Sequence, residues 1–211
     1  MPATNLPPAF WPILLGILGA VFGSFIATLA IRWPEGRSVA QGRSMCDGCG
    51  MTIRARDLIP IVGFAVRWGR CAGCGERIAP SHVAIELLGL GIGVVAGLVA
   101  PGVGGIAGAV FGWLLLALGA VDLAAFWLPD RLTGTLAAAG LVSAVAGIPP
   151  APDARLWGGA AGFGSLWLVA FAYRRLRGRT GLGGGDPKLF GAIGLWLGWA
   201  ALPGVLLAAC V

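Results

Sequence analysis

"LLGLGIGVVAGLVAPGVGGIAGAVFGWLLLALGAV", residues 87–121, runs for 35 residues without a charge. One straight helix of that length would measure about 52 Å, against a bilayer hydrocarbon core of about 30 Å. The run has to turn back on itself, and Pro101-Gly102 in its middle is a turn dipeptide. Working outward, residues 1–31, 132–152, 156–173 and 189–211 are equally free of charge. The 211-residue chain is 57% hydrophobic and 11% charged, a composition that belongs to membrane proteins. The expected fold is an all-α polytopic membrane protein with about six transmembrane helices, near 10–31, 83–100, 104–121, 132–150, 156–173 and 188–210. The first apolar stretch lacks a basic leading region and is long, so it reads as a retained span.

Arginine sets the orientation. If residues 32–82 are cytoplasmic, six crossings put 122–131 and 174–187 on the same side, and these segments with Lys188 hold every basic residue except Arg155. The net charge of +6 therefore records topology. It gives no support for nucleic-acid binding, which needs a basic soluble face; the bilayer itself is the partner these groups meet. Three regions follow: a first transmembrane helix at 1–32, a cytoplasmic insert at 33–82 and a membrane domain at 83–211.

The insert contains "CDGCGMTIRARDLIPIVGFAVRWGRCAGCG", in which Cys46 and Cys49 form one CxxC and Cys71 and Cys74 another. Two such pairs on Gly-containing turns suit a tetrahedral four-thiolate Zn2+ site, which is structural because no coordination position stays open. Two disulfides or four unligated thiols are the competing reading, and disulfides are disfavoured in a reducing compartment. About 50 residues make too small a core to fold well unaided, so the metal would supply much of the insert's stability. Cys210 reads as a small apolar residue.

One histidine, His82, cannot build a two-histidine metalloprotease site. Ser165 lies inside an expected span and reads as a helix-packing residue. The carboxylates remain, and Glu86, Asp122, Asp130 and Asp186 fall at the cytoplasmic ends of spans, where ionisable groups are costly. Asp130 has the placement of an N-cap, as does Asp186 before Pro187, and Glu86 complements a helix N-terminus. Asp122 ends a span, where the helix dipole disfavours an anion, and has no charged neighbour in sequence. Two carboxylates brought together in a low-dielectric site share one proton, which is what peptide hydrolysis by an activated water requires. Gly183, Gly184 and Gly185 before Asp186 would let backbone approach an extended peptide closely.

These residues carry a resemblance. "GSFIATLAIRWPEGRSVAQGRSMCDGC" (23–49), "RARDLIPIVGFAVRWGRCAGCGERIAPSHVAIELL" (54–88), "VDLAAFWLPDRLT" (121–133) and "GLGGGDPKLFGAIGLWLGW" (181–199) resemble, in order, four blocks of the type IV prepilin peptidases, membrane aspartic proteases with a Gly-x-Gly-Asp motif. The resemblance implies that Asp122 and Asp186 are the catalytic pair. It implies cleavage after a glycine between a basic leader and a hydrophobic helix in prepilin or pseudopilin substrates, at the cytoplasmic face of a bacterial inner membrane. In many members it also implies N-methylation of the new terminus with S-adenosylmethionine. Gly183 and Gly185 would shape the active-site loop, with Asp130 and Lys188 as supporting groups. Ala27 stands where the family usually has asparagine, "PSHVAIE" (80–86) departs from an aromatic-proline pattern, and the chain ends after the span that follows Asp186, where longer members continue. The competing functions are an ion or proton carrier using the two aspartates, or an assembly factor for pili or secretion whose zinc module docks a partner.

Overall fold

The computed structural model describes residues 6–39, 43–46 and 48–210, which leaves Asp47 of the insert outside the described residues. Eight α-helices carry these residues: α1 (Phe10–Arg32), α2 (Val62–Val66), α3 (Pro80–Val99), α4 (Val103–Ala125), α5 (Asp130–Val145), α6 (Pro152–Arg177), α7 (Asp186–Leu197) and α8 (Leu202–Ala209). Among the described residues the only β pairing is two isolated bridges in the insert. Helices α1, α3, α4 and α6 are long and apolar enough to cross a membrane, and Asp186–Leu197 with Trp199–Ala209 makes a fifth if the bent pair is one span. The chain divides into two compact units, residues 1–126 and 127–211.

In the first unit, glycines let α1 and α3 pack backbone to backbone. A Cβ on Gly19 would strike the Gly89 carbonyl, and one on Gly93 would strike that of Leu15. Gly23 faces the Glu86 backbone and Gly97 faces Pro12, so α3 descends as α1 rises. In lipid, helices associate by such van der Waals fit rather than by excluding water. Trp113 of α4 closes the group by donating its indole N–H to the Gly89 carbonyl at 2.9 Å. The turn between α3 and α4 falls at the expected Pro101-Gly102, where Gly102 takes φ +91°.

In the second unit α7 lies antiparallel to α6, with Gly158 against Gly194 and Gly162 against Phe190. Trp196 of α7 donates to the Leu136 carbonyl of α5 at 2.7 Å. Arg155 is buried, and its guanidinium donates to the carbonyls of Gly140, Ile148, Pro149, Pro150 and Leu195 and to the Ser143 hydroxyl. The one arginine outside the cytoplasmic tally is thus an internal tie between α5, α6 and α7, and carries no topological information.

Two expected spans differ in detail. The segment 132–150 is helical only over α5, whose 16 residues make about 24 Å, because the chain leaves the helix at Gly147 with φ +73°. The segment 188–210 is broken by a 118° bend at Gly198, which takes φ +75° and ψ 170°. Only a residue without Cβ adopts that conformation at low cost.

Candidate active site and metal centre

The two CxxC pairs fold as matching turns. The Cys46 N–H donates to the Met51 carbonyl and the Gly50 N–H to that of Cys46. Twenty-five positions on, the pattern repeats: Cys71 to Glu76, and Gly75 to Cys71. A bridge closes each turn, Met45 with Thr52 and Arg70 with Arg77, and Gly50 and Gly75 supply φ near +70°. The four sulfurs lie within 4.8 Å of one another, with Cys46 to Cys74 and Cys49 to Cys71 each at 3.9 Å. Thiolates about 2.3 Å from a tetrahedral ion sit about 3.8 Å apart, so the cluster fits a metal. Disulfide sulfurs would be about 2 Å apart, and none of the five cysteines is bridged. Backbone N–H groups of Cys74 and Gly73, together with the Cys46 side chain, bring the Cys71 thiol down to about 6, while, against the Glu76 backbone N–H, the Cys49 side chain and burial push the Cys74 thiol up to about 12, so the close sulfurs do not all ionise unaided.

Between the turns, Asp57 accepts a bidentate pair of hydrogen bonds from Arg67, both 2.9 Å, which fastens the 3-10 turn Ala55–Leu58 to the end of α2. That pair holds the Asp57 carboxyl below the usual carboxylate range. Glu86 is buried, and its Oε2 accepts the Ile61 N–H at 2.7 Å, joining the insert to the second turn of α3. Glu86 read from sequence as a dipole-complementing residue; its contact with Ile61 depends on a chain reversal that residue spacing does not encode. A cavity of about 940 Å³ is lined by both the insert and the second half of α1, with Val21, Phe25, Leu58 and Ile59 among its lining residues.

Asp122 stands half-buried in the last turn of α4, which ends with Phe126 in the left-handed conformation. Its carboxylate has no hydrogen-bond or ion-pair partner among the described residues. Asp186 is in the second unit and opens α7. The first intrahelical bond runs from the Leu189 N–H to the Gly185 carbonyl, so Gly185 holds the N-cap position and Asp186 is the first helical residue. Its Oδ2 turns back to accept the Gly183 N–H at 2.9 Å and makes no cap bond to the helix. The expected cap role of Asp186 is therefore absent.

The glycines around it differ. A Cβ on Gly185 would press on Leu128 at 2.8 Å, and one on Gly183 would stand 3.0 Å from the Asp186 carboxylate. A Cβ on Gly184 would meet nothing. Asp130 likewise begins its helix without capping it, since Pro129 occupies the N-cap position. Instead it pairs with Lys188 at 2.6 Å, joining α5 to α7 within the unit that carries Asp186. Beside this pair lies an open groove of about 480 Å³, floored by Gly191, Ala192 and Leu195 and walled by Thr133, Ala137 and Phe163.

Known proteins give this arrangement its place. The model of the bacterial peptidase A24 N-terminal domain matches residues 17–99, and that of the type IV leader peptidase family matches residues 109–211. A prepilin leader peptidase/N-methyltransferase of Klebsiella pneumoniae is 40% identical over 210 residues, 96% of this chain and 92% of the relative. One from Dickeya chrysanthemi is 34% identical, covering 97% and 81% of the two chains. One from Aeromonas hydrophila is 41% identical over 167 residues, 78% of this chain and 57% of the longer relative. No solved structure matches. With both halves of the chain matched, and a relative aligned along nearly its whole length, the protein belongs to the type IV leader peptidase family.

Proposed function

We propose that this chain is a membrane aspartic endopeptidase that removes the leader of prepilins or pseudopilins after a glycine at the cytoplasmic face of a bacterial inner membrane, with Asp122 and Asp186 as its catalytic pair. The observation that carries the reading is the Asp186 carboxylate, turned away from its own helix and towards the glycine loop. A carboxylate kept only as a cap would bond the free N–H groups of the first helical turn. The names of the relatives support leader cleavage as the activity. The excess of arginine on one side of the spans supports the cytoplasmic orientation.

In this mechanism one aspartate is ionised and takes a proton from water, while the protonated partner donates to the scissile carbonyl. The hydroxide attacks the carbonyl carbon, and collapse of the tetrahedral intermediate returns a proton to the leaving amine. Gly183 and Gly185 keep the loop low enough for an extended peptide, and the Lys188–Asp130 pair fixes the start of α7. The metal of the cysteine cluster is Zn2+ in a structural role, since four thiolates leave no site for substrate. N-methylation is the second activity, and S-adenosylmethionine would supply the methyl group.

Incubating the purified protein in detergent with a prepilin, with and without S-adenosylmethionine, and weighing the products tests both activities. Loss of the leader mass supports the peptidase, and an added methyl mass only with the donor supports the transferase. An unaltered prepilin would overturn the first reading, and leader loss without a methyl would overturn the second.

A further inference from the structure

The insert is polar as a whole, yet its middle exposes a run of large apolar side chains. Leu58, Ile59, Val62, Val66 and Trp68 are exposed from 42% at Leu58 to 89% at Trp68. Val62 and Val66 are four apart on α2 and so share a face. Trp68 follows the helix in the left-handed conformation at φ +52°, where glycine or asparagine is the usual residue and a bulky aromatic is an outlier. Exposed arginines flank the run, Arg54 and Arg56 before it and Arg70 after it.

Position identifies what covers this face. The Ile61 N–H is bonded to Glu86, six residues or about 9 Å into the membrane-capable helix α3. Leu58 and Ile59 line the same cavity as Val21, which lies eleven residues or about 16 Å inside the end of α1. The Ile61–Glu86 bond therefore sets the segment beside the second turn of α3, and the shared cavity sets it against the second half of α1, instead of above the spans in water. An apolar face at that depth, ended by tryptophan and bordered by arginine, has the chemistry of a helix lying in a membrane interface.

We propose that residues 55–70 form an interfacial anchor: Leu58, Ile59, Val62, Val66 and Trp68 enter the acyl region of the cytoplasmic leaflet, and Arg54, Arg56 and Arg70 bind phosphates of anionic lipid headgroups. The anchor adds a lipid attachment for the four-cysteine module to its two chain ends and the Ile61–Glu86 bond. It stands independently of the peptidase reading.

The test uses the full chain reconstituted in phosphatidylcholine–phosphatidylglycerol vesicles, with acyl chains either plain or brominated. Trp68→Phe isolates the emission of Trp68 as the difference from the wild type, and an unchanged number of protected thiols checks that the insert stays folded. The expected difference emission is quenched by brominated chains and insensitive to aqueous iodide. In Val62→Asp/Val66→Asp it becomes iodide-sensitive. In pure phosphatidylcholine the bromine quenching weakens, and Arg54→Gln/Arg56→Gln/Arg70→Gln removes the dependence on anionic lipid. Iodide quenching in the wild type would overturn the anchor by placing Trp68 in water. Resistance to both quenchers would overturn it too, by placing Trp68 against a second copy or a protein partner. Equal bromine quenching in the two vesicle types would overturn the phosphate contacts.

Discussion

Arg155 meets six acceptors and no carboxylate, so its positive charge is stabilised by carbonyl dipoles and one hydroxyl alone. Only a planar guanidinium has enough donors, in a fixed fork, to serve carbonyls from two other helices, α5 and α7, and from the loop at 148–150. Arg155→Lys is expected to destabilise the protein by on the order of 3 kcal/mol, with Arg155→Met no better, read from thermal denaturation in detergent. The Lys188–Asp130 pair is the opposite case. Its carboxylate side is 74% exposed, so a double-mutant cycle should return less than about 1 kcal/mol of coupling. If it positions α7, Lys188→Met should instead lower kcat by about tenfold or more while the melting temperature barely moves. Sequence made Asp130, Asp186 and Lys188 candidates through their place at span ends. It misplaced both aspartates by one position, as N-caps, because an aspartate at N-cap and one at the first helical position look alike in a string of residues. The carboxylates' choice of Lys188 and the Gly183 N–H depends on loop geometry that no residue spacing records.

At the scale of elements, the uncharged runs located the helices because a charge inside lipid is costly whatever the fold. The bend at Gly198 was hidden, since one glycine in "LWLGWAALPG" reads as easily as a packing residue of an unbroken span. Packing of α1 on α3 gives a sharp test. Gly89→Ala would force a methyl onto the Gly19 carbonyl and should cost about 1–3 kcal/mol, while Gly91→Ala, which meets open space, should be neutral or slightly stabilising through helix propensity. The insert offers a test in pH. The Asp57 carboxyl is held below its unfolded value by Arg67, so its contribution is fully present above the unfolded carboxylate range and is lost as pH falls through the folded value. The thermal midpoint of Asp57→Asn should therefore lie below that of the wild type by a constant amount at neutral pH, and the two should converge only at acid pH below the ordinary aspartate range.

Across the whole molecule, the four cysteines are legible as a cluster that could hold a metal because ligand spacing within each turn is local, and the structure needs only to bring two similar turns together. Stripping the metal with a chelator is expected to expose all four thiols and open residues 43–79 to protease, while α1, α3 and α4 stay protected through their glycine contacts. The proposed catalytic pair is of another kind. Asp122 and Asp186 are 64 positions apart and belong to different compact units, so elimination and resemblance propose them where local spacing is silent. The most direct measurement of the central claim is the mass of a prepilin after incubation with the wild type, Asp122→Asn and Asp186→Asn, each shown to retain its fold by thermal denaturation. Leader loss is expected with the wild type and a rate at least about 1,000-fold lower with either variant, since removal of one member of a catalytic pair costs on that order or more. Leader removal at near-native rate by either variant would contradict it.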